Sequence, residues 1–112
     1  MPKFRIFKTR TYEKDYDSLD NAEKKKIDKI INSLFETGDV TGRPLGFPFF
    51  REKKLENKRL IYLIYPKIAS ILIVAITDKN MQQATINEIL LHLDEYQEYV
   101  LQKLKDAIGD RV

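Results

Sequence analysis

Leu60-Ile61-Tyr62-Leu63-Ile64-Tyr65, followed after Pro66-Lys67-Ile68-Ala69-Ser70 by Ile71-Leu72-Ile73-Val74-Ala75-Ile76, is the stretch that decides the fold. Neither run has a polar face, so each reads as a central strand covered on both sides. A connection this short cannot hold a crossover, which makes the two strands antiparallel neighbours. Immediately upstream, Phe49-Phe50-Arg51-Glu52-Lys53-Lys54-Leu55 alternates in polarity, and Glu56-Asn57-Lys58 supplies a turn into Arg59-Leu60. The result is a β-hairpin whose mouth carries five cations, Arg51, Lys53, Lys54, Lys58 and Arg59, against two anions, Glu52 and Glu56.

That window is +3, and so is the whole chain, with 20 Lys and Arg against 17 Asp and Glu. The excess charge therefore sits on one element and points to an anionic partner, RNA first. Strand alternation puts Arg51 and Lys53 on one face, with Glu52 and Lys54 on the other, so at most half of these charges can meet one ligand. The competing explanation is that lysines on an exposed edge block sheet-to-sheet aggregation.

Further out, Lys3-Phe4-Arg5-Ile6-Phe7-Lys8-Thr9 places Phe4 and Ile6 on one face, as in a short half-buried first strand. Tyr12, Tyr16 and Leu19, then Ile27, Ile30, Ile31, Leu34 and Phe35, follow helical spacing and predict two consecutive helices. Asp20 with Glu23 forms a capping box for the second, and Gly38 stops it. Its run Lys24-Lys25-Lys26 with Lys29 reads as a solvated face. The stretch from Gly38 to Pro48, with three glycines and two prolines, reads as a connection packed on the body. After Thr77 the chain turns polar, and Thr85 with Glu88 forms a second capping box opening one long helix. Its stripe is Ile86, Ile89, Leu90, Leu93, Tyr96, Val100 and Leu104, and Gly109 marks its end. Such a helix overhangs a six-residue strand, leaving open whether Tyr96, Tyr99, Val100, Leu101 and Leu104 cover the core or meet a second chain. These elements give an α+β domain over residues 1–112: a four-stranded, mainly antiparallel sheet, with an N-terminal helical pair and a long C-terminal helix covering one face.

At 112 residues and 43% hydrophobic content the chain builds one core unaided. With no cysteine, thiol nucleophiles, disulfides and Cys-type zinc sites are excluded. No apolar run approaches the roughly 20 residues that span a bilayer, and Met1-Pro2-Lys3-Phe4 does not open a signal peptide, so a cytoplasmic protein without membrane partners is expected. The one histidine, His92, lies off the apolar stripe and reads as a solvated or edge-packed helix residue. Gly38, Gly42 and Gly46 fit neither a dinucleotide fingerprint nor a P-loop, and one His with scattered carboxylates supports no metal site or cofactor.

Tyr12-Glu13-Lys14-Asp15-Tyr16 before an amphipathic helix, Gly42-Arg43-Pro44-Leu45, and the cationic hairpin ending Arg59-Leu60-Ile61-Tyr62 together resemble the RelE/ParE superfamily of toxins from toxin–antitoxin pairs. The likeness covers roughly residues 3–100. The segment from Ala75 to Ile89 is similar to the HigB-type and phage-derived branch. The resemblance implies a metal-independent mRNA interferase acting in the ribosomal A site, with a cognate antitoxin, mRNA and the ribosome as partners. It implies that a basic residue helps deprotonate the RNA 2′-hydroxyl while other cations stabilise the phosphorane, on the order of 2 to 4 kcal/mol each. On that pattern Arg59 is the phosphate-binding residue, Lys53 and Lys54 are the basic residues of the hairpin's first strand, and Lys79 is the cation near the end of the last strand. Arg51 and Lys58 are further RNA-binding candidates.

The chain departs from the pattern between Lys79 and Thr85, where several active members carry a tyrosine or histidine; Gln82 and Gln83 are neither acids nor bases. Three readings follow. The first is an endoribonuclease, the second a catalytically silent relative that binds DNA gyrase or only its antitoxin, and the third an unrelated small RNA-binding or structural domain. A homodimer through the C-terminal helix is compatible with any of them. If the strand lysines are functional, Lys53→Ala combined with Lys54→Ala leaves stability within about 1 kcal/mol of the parent in thermal unfolding; an unfolded double variant would make them structural instead.

Overall fold

The computed structural model describes residues 3–38 and 42–109. The N-terminal pair Met1-Pro2 and the middle of the Gly38–Pro48 connection, residues 39–41, lie outside them. The sheet has five strands: β1 (Arg5–Lys8), β2 (Arg43–Phe47), β3 (Phe50–Leu55), β4 (Lys58–Tyr65) and β5 (Ser70–Asp78), in the order β1-β5-β4-β3-β2. All neighbours are antiparallel except β1 and β5. The helices are α1 (Arg10–Asp17), α2 (Asn21–Thr37), α3 (Gln82–Leu91) and α4 (Leu93–Ile108), and a 3-10 turn, Pro66–Ile68, joins β4 to β5. Among the described residues no helix is long and apolar enough to cross a membrane.

β4 and β5 are the central pair, as their two-sided hydrophobicity requires. Leu60, Tyr62 and Ile64 of β4 pack with Ile71 and Ile73 of β5 against Tyr12 of α1 and Ile27 and Leu34 of α2. On the opposite face Ile61, Leu63, Leu72 and Val74 pack against Ile89 of α3 and Val100 of α4. Helices thus cover both faces, not one. A single layer would have left one apolar face of two strands in water, at about 1.5–3 kcal/mol per large side chain.

Two further expectations are corrected. The fifth strand is β2, inside the segment that reads as a plain connection. Pro44 and Gly46 are strand breakers, but at an edge Pro withdraws no ladder donor the sheet needs, and the register shift between Pro44 and Phe47 accommodates Gly46 at φ 97°. The long C-terminal helix is two helices, broken at His92, whose backbone (φ −123°, ψ 24°) is not helical. α3 begins at Gln82, and Thr85 caps nothing: its hydroxyl donates to the Met81 carbonyl at 2.9 Å and lies 3.1 Å from the Thr77 hydroxyl.

The N-terminal half forms as its caps dictate. Asp20 and Glu23 close a full capping box on α2. Thr9 caps α1, and its hydroxyl also donates to the Val74 carbonyl at 2.6 Å. Beyond Lys8, where β1 ends, the outer edge of β5 would have unpaired backbone groups. Thr9 satisfies Val74 there, and Asp15 accepts from the Ile76 amide at 3.1 Å, so α1 completes the edge that β1 leaves.

Gly38 ends α2 at φ 69°, donating to the Leu34 carbonyl, and a β-carbon there would stand 2.7 Å from Phe4 Cε1. Gly38→Ala therefore combines left-handed strain with a clash and lowers unfolding free energy by about 1–3 kcal/mol in urea titrations; an unchanged midpoint would show that Phe4 yields freely.

Candidate phosphate-binding cleft

Strand register assembles the site. The β3–β4 pairing sets Lys54 opposite Arg59, the β4–β5 pairing sets Arg59 opposite Thr77, and the β2–β3 pairing sets Arg43 opposite Glu52. Directly paired residues share a face, so Arg43, Glu52, Lys54, Arg59 and Thr77 all lie on the α3/α4 side, where α3 begins. There the apolar alternation of Phe50, Ile61 and Leu63 gives way to charge.

At the centre is Glu52, only 5% exposed. Its Oε1 accepts from Gln82 Nε2 at 2.6 Å, its Oε2 is 2.9 Å from Arg43 Nη2, and Arg59 Nε lies 4.0 Å from Oε1. The Arg43 side chain is 70% exposed, whereas that of Arg59 is 12% exposed. A guanidinium withdrawn from water this far needs a carboxylate beside it, since an uncompensated buried charge costs several kcal/mol. Glu52 supplies that charge from the Nε side of the group, at ion-pair distance. Arg59 Nη1 is buried and has no hydrogen-bond partner among the described residues. The Arg59 side chain as a whole lines an open cleft of about 350 Å³ together with Arg43, Glu52, Lys53 and Lys54. Four cations around one carboxylate leave net positive charge, which suits a phosphate.

The sequence candidates divide. Arg59 and Lys54 meet in this cleft. Lys53 borders it, but by alternation its side chain belongs to the other face, where it also lines a second cleft with Lys29, Ser33, Thr37 and Tyr62. Lys58 lies on that other face too, opposite Asp78. Arg51 is occupied structurally: its Nε donates to the Pro48 carbonyl and its Nη1 to the Gly42 carbonyl, both at 2.7 Å, tying together the two ends of β2. Lys79 stands exposed on the turn after β5, where Asp78 Oδ1 accepts from the Met81 amide, and is not among the cleft-lining side chains.

Glu52 and Gln82 escape a reading that seeks cations and proton-transfer groups, and Arg43 is passed over as a site residue because it lies in the segment that reads as a connection. The available signal was parity: Glu52 shares its strand face with Phe50, so a carboxylate stands where a core residue is due. His92 sits away from the cleft at the α3–α4 break, its ring nitrogens 3.1 Å from Glu88 and Glu95, and the Glu95 contact first, with both carboxylates' charge, pushes its pKa up from 6.5. Among the described residues no three His, Cys, Asp or Glu side chains converge to hold a metal ion.

No family model and no curated protein matches the chain in sequence. Solved structures do match in shape. The isolated E. coli RelE toxin superposes with a TM-score of 0.61 at 13% identity, covering 77% of this chain and 98% of that one. The fold is that of the RelE toxins. The RelBE2 toxin–antitoxin complex of Mycobacterium tuberculosis gives 0.61 at 17% identity over 70% of this chain and 94% of that one. The archaeal RelE–RelB complex from Pyrococcus horikoshii gives 0.58 at 19% over 69% and 96%. RelE chains are thus matched nearly end to end, at identities that speak for fold alone.

Replacing Glu52 by Gln removes the charge that offsets buried Arg59 and lowers unfolding free energy by about 1–3 kcal/mol. Arg43→Ala, which breaks the exposed half of the network, costs less than about 1 kcal/mol. Urea denaturation of both variants checks the order; a larger loss for Arg43→Ala would place the organising contact elsewhere.

Proposed function

We propose that this protein is the toxin of a type II toxin–antitoxin pair and acts as a ribosome-dependent endoribonuclease that cleaves mRNA and halts translation. The observation that carries the reading is the cationic cleft in which Arg59, 12% exposed at its side chain, stands beside the buried carboxylate Glu52. The RelE fold supports it, as do the matched structures in which RelE is held by RelB, the model for a cognate antitoxin here. The polar segment between Thr77 and Thr85 supports placement in the HigB-type branch.

In the reaction, the RNA 2′-oxygen bonds to the adjacent phosphorus and loses its proton. The bond from phosphorus to the 5′-oxygen breaks, and that oxygen gains a proton. A 2′,3′-cyclic phosphate and a 5′-hydroxyl result. Negative charge grows on the phosphoryl oxygens in between. Arg59, its charge offset by Glu52, donates to one of them, while Arg43 and Lys54 supply further positive charge at the mouth. Lys54, opposite Arg59, is the side chain placed for proton transfer. Stabilisation by positioned donors dominates such a step because they need not reorganise as charge develops.

One observation favours a second reading. Among the described residues the cleft lining includes neither tyrosine nor histidine, which suits a protein that grips an anionic partner, or a topoisomerase, without cutting RNA. In vitro translation with primer extension separates the two. Ribosome-dependent cleavage that falls about 10²–10³-fold in Arg59→Ala, and further in Lys54→Ala than in Lys53→Ala, is the expected result; intact mRNA with unaffected translation would overturn the nuclease.

A further inference from the structure

We propose that α4 pairs antiparallel with α4 of a second copy of this chain, forming a twofold homodimer that leaves the cationic cleft open. Val100 is buried against the sheet, but the outward side of α4 carries an uninterrupted stripe at helical spacing: Asp94, Gln97, Glu98, Leu101, Lys105 and Ile108, all exposed. Leu101 and Ile108 on it are 45% and 47% exposed. Beside Leu101 the apolar surface widens into a groove of about 590 Å³ against the β4–β5 turn, lined by Phe49, Ile64, Tyr65, Pro66 and Ile68.

Charge along the stripe identifies the occupant. Its first half is acidic, through Asp94 and Glu98, and its second half basic, through Lys105. A helix polarised in this way is complementary to itself only when reversed. An antiparallel copy centred near Leu101 places Glu98 of each protomer beside Lys105 of the other. A parallel copy would set like charges together, which is unfavourable. A twofold axis repeats each contact twice, so one self-complementary stripe suffices for a closed dimer. Two 16-residue helices offer only about 24 Å of contact, so the interface is small. The groove lies at the Tyr65 end of β4 and the cleft at the Lys58 end, so pairing through α4 obstructs neither the cleft nor access to it.

Sedimentation velocity on the full chain, from roughly 1 to 200 μM, tests the proposal across the range of weak to moderate association. The parent is expected to pass from monomer to dimer, and Leu101→Asp to stay monomeric with unchanged circular dichroism. Glu98→Lys alone and Lys105→Glu alone each weaken association at least tenfold, and the double charge swap restores it. A parent that stays monomeric throughout overturns the proposal, as does a dimer indifferent to Leu101→Asp or to both single reversals. A parent that is monomeric, and whose affinity for its antitoxin is lost in Leu101→Asp, would assign the face to that partner and likewise overturn the dimer.

Discussion

β4 and β5 have no polar face, and most of the molecule follows from that constraint. Two adjacent strands whose side chains are apolar above and below must be roofed twice, so α1 and α2 take one face and α3 and α4 the other. The strands that flank the pair can then afford polarity, and they have it: β1 is short, and β2 and β3 carry the charges. Even the gap at the outer edge of β5 is closed by side chains of α1, through Thr9 and Asp15.

The cleft forms where the second roof begins. At the Arg59 end of β4 the core face runs out beneath the first turn of α3, and the residues whose parity would make them core are Glu52, Arg59 and Thr77. Burying Arg59 requires a nearby carboxylate, and the carboxylate requires its own donors, which Gln82 and Arg43 provide. Fold and site are therefore coupled. Gln82 of α3 helps fix Glu52, and Glu52 offsets the charge of Arg59 in the cleft wall.

Much of this was legible in the residues. The central pair, the hairpin, the capping box of Asp20 and Glu23, the stop at Gly38 and the place of Arg59 all rest on strong local signals. β2 was hidden because Pro44 and Gly46 announce a loop, and only the edge position, a property of the assembled sheet, makes them acceptable. The break at His92 was hidden because Ile89 and Leu93 continue the helical stripe and no glycine or proline intervenes. Glu52 looked like one anion diluting a cationic patch, since its burial depends on β2, the strand not foreseen. Arg51, conversely, looked available for RNA, and its engagement with the Pro48 and Gly42 carbonyls depends on the path of that same strand.

The central claim is that Glu52 holds the Arg59 guanidinium ready for a phosphate. NMR observation of the Arg59 side-chain N–H resonances, during titration with a short 2′-O-methyl RNA that cannot be cleaved, addresses it most directly. Saturable shifts at Arg59 that weaken with salt and collapse in Glu52→Gln are predicted, while the Lys29 side chain in the cleft on the other face stays still. Shifts confined to Lys29, with Arg59 silent, would contradict it.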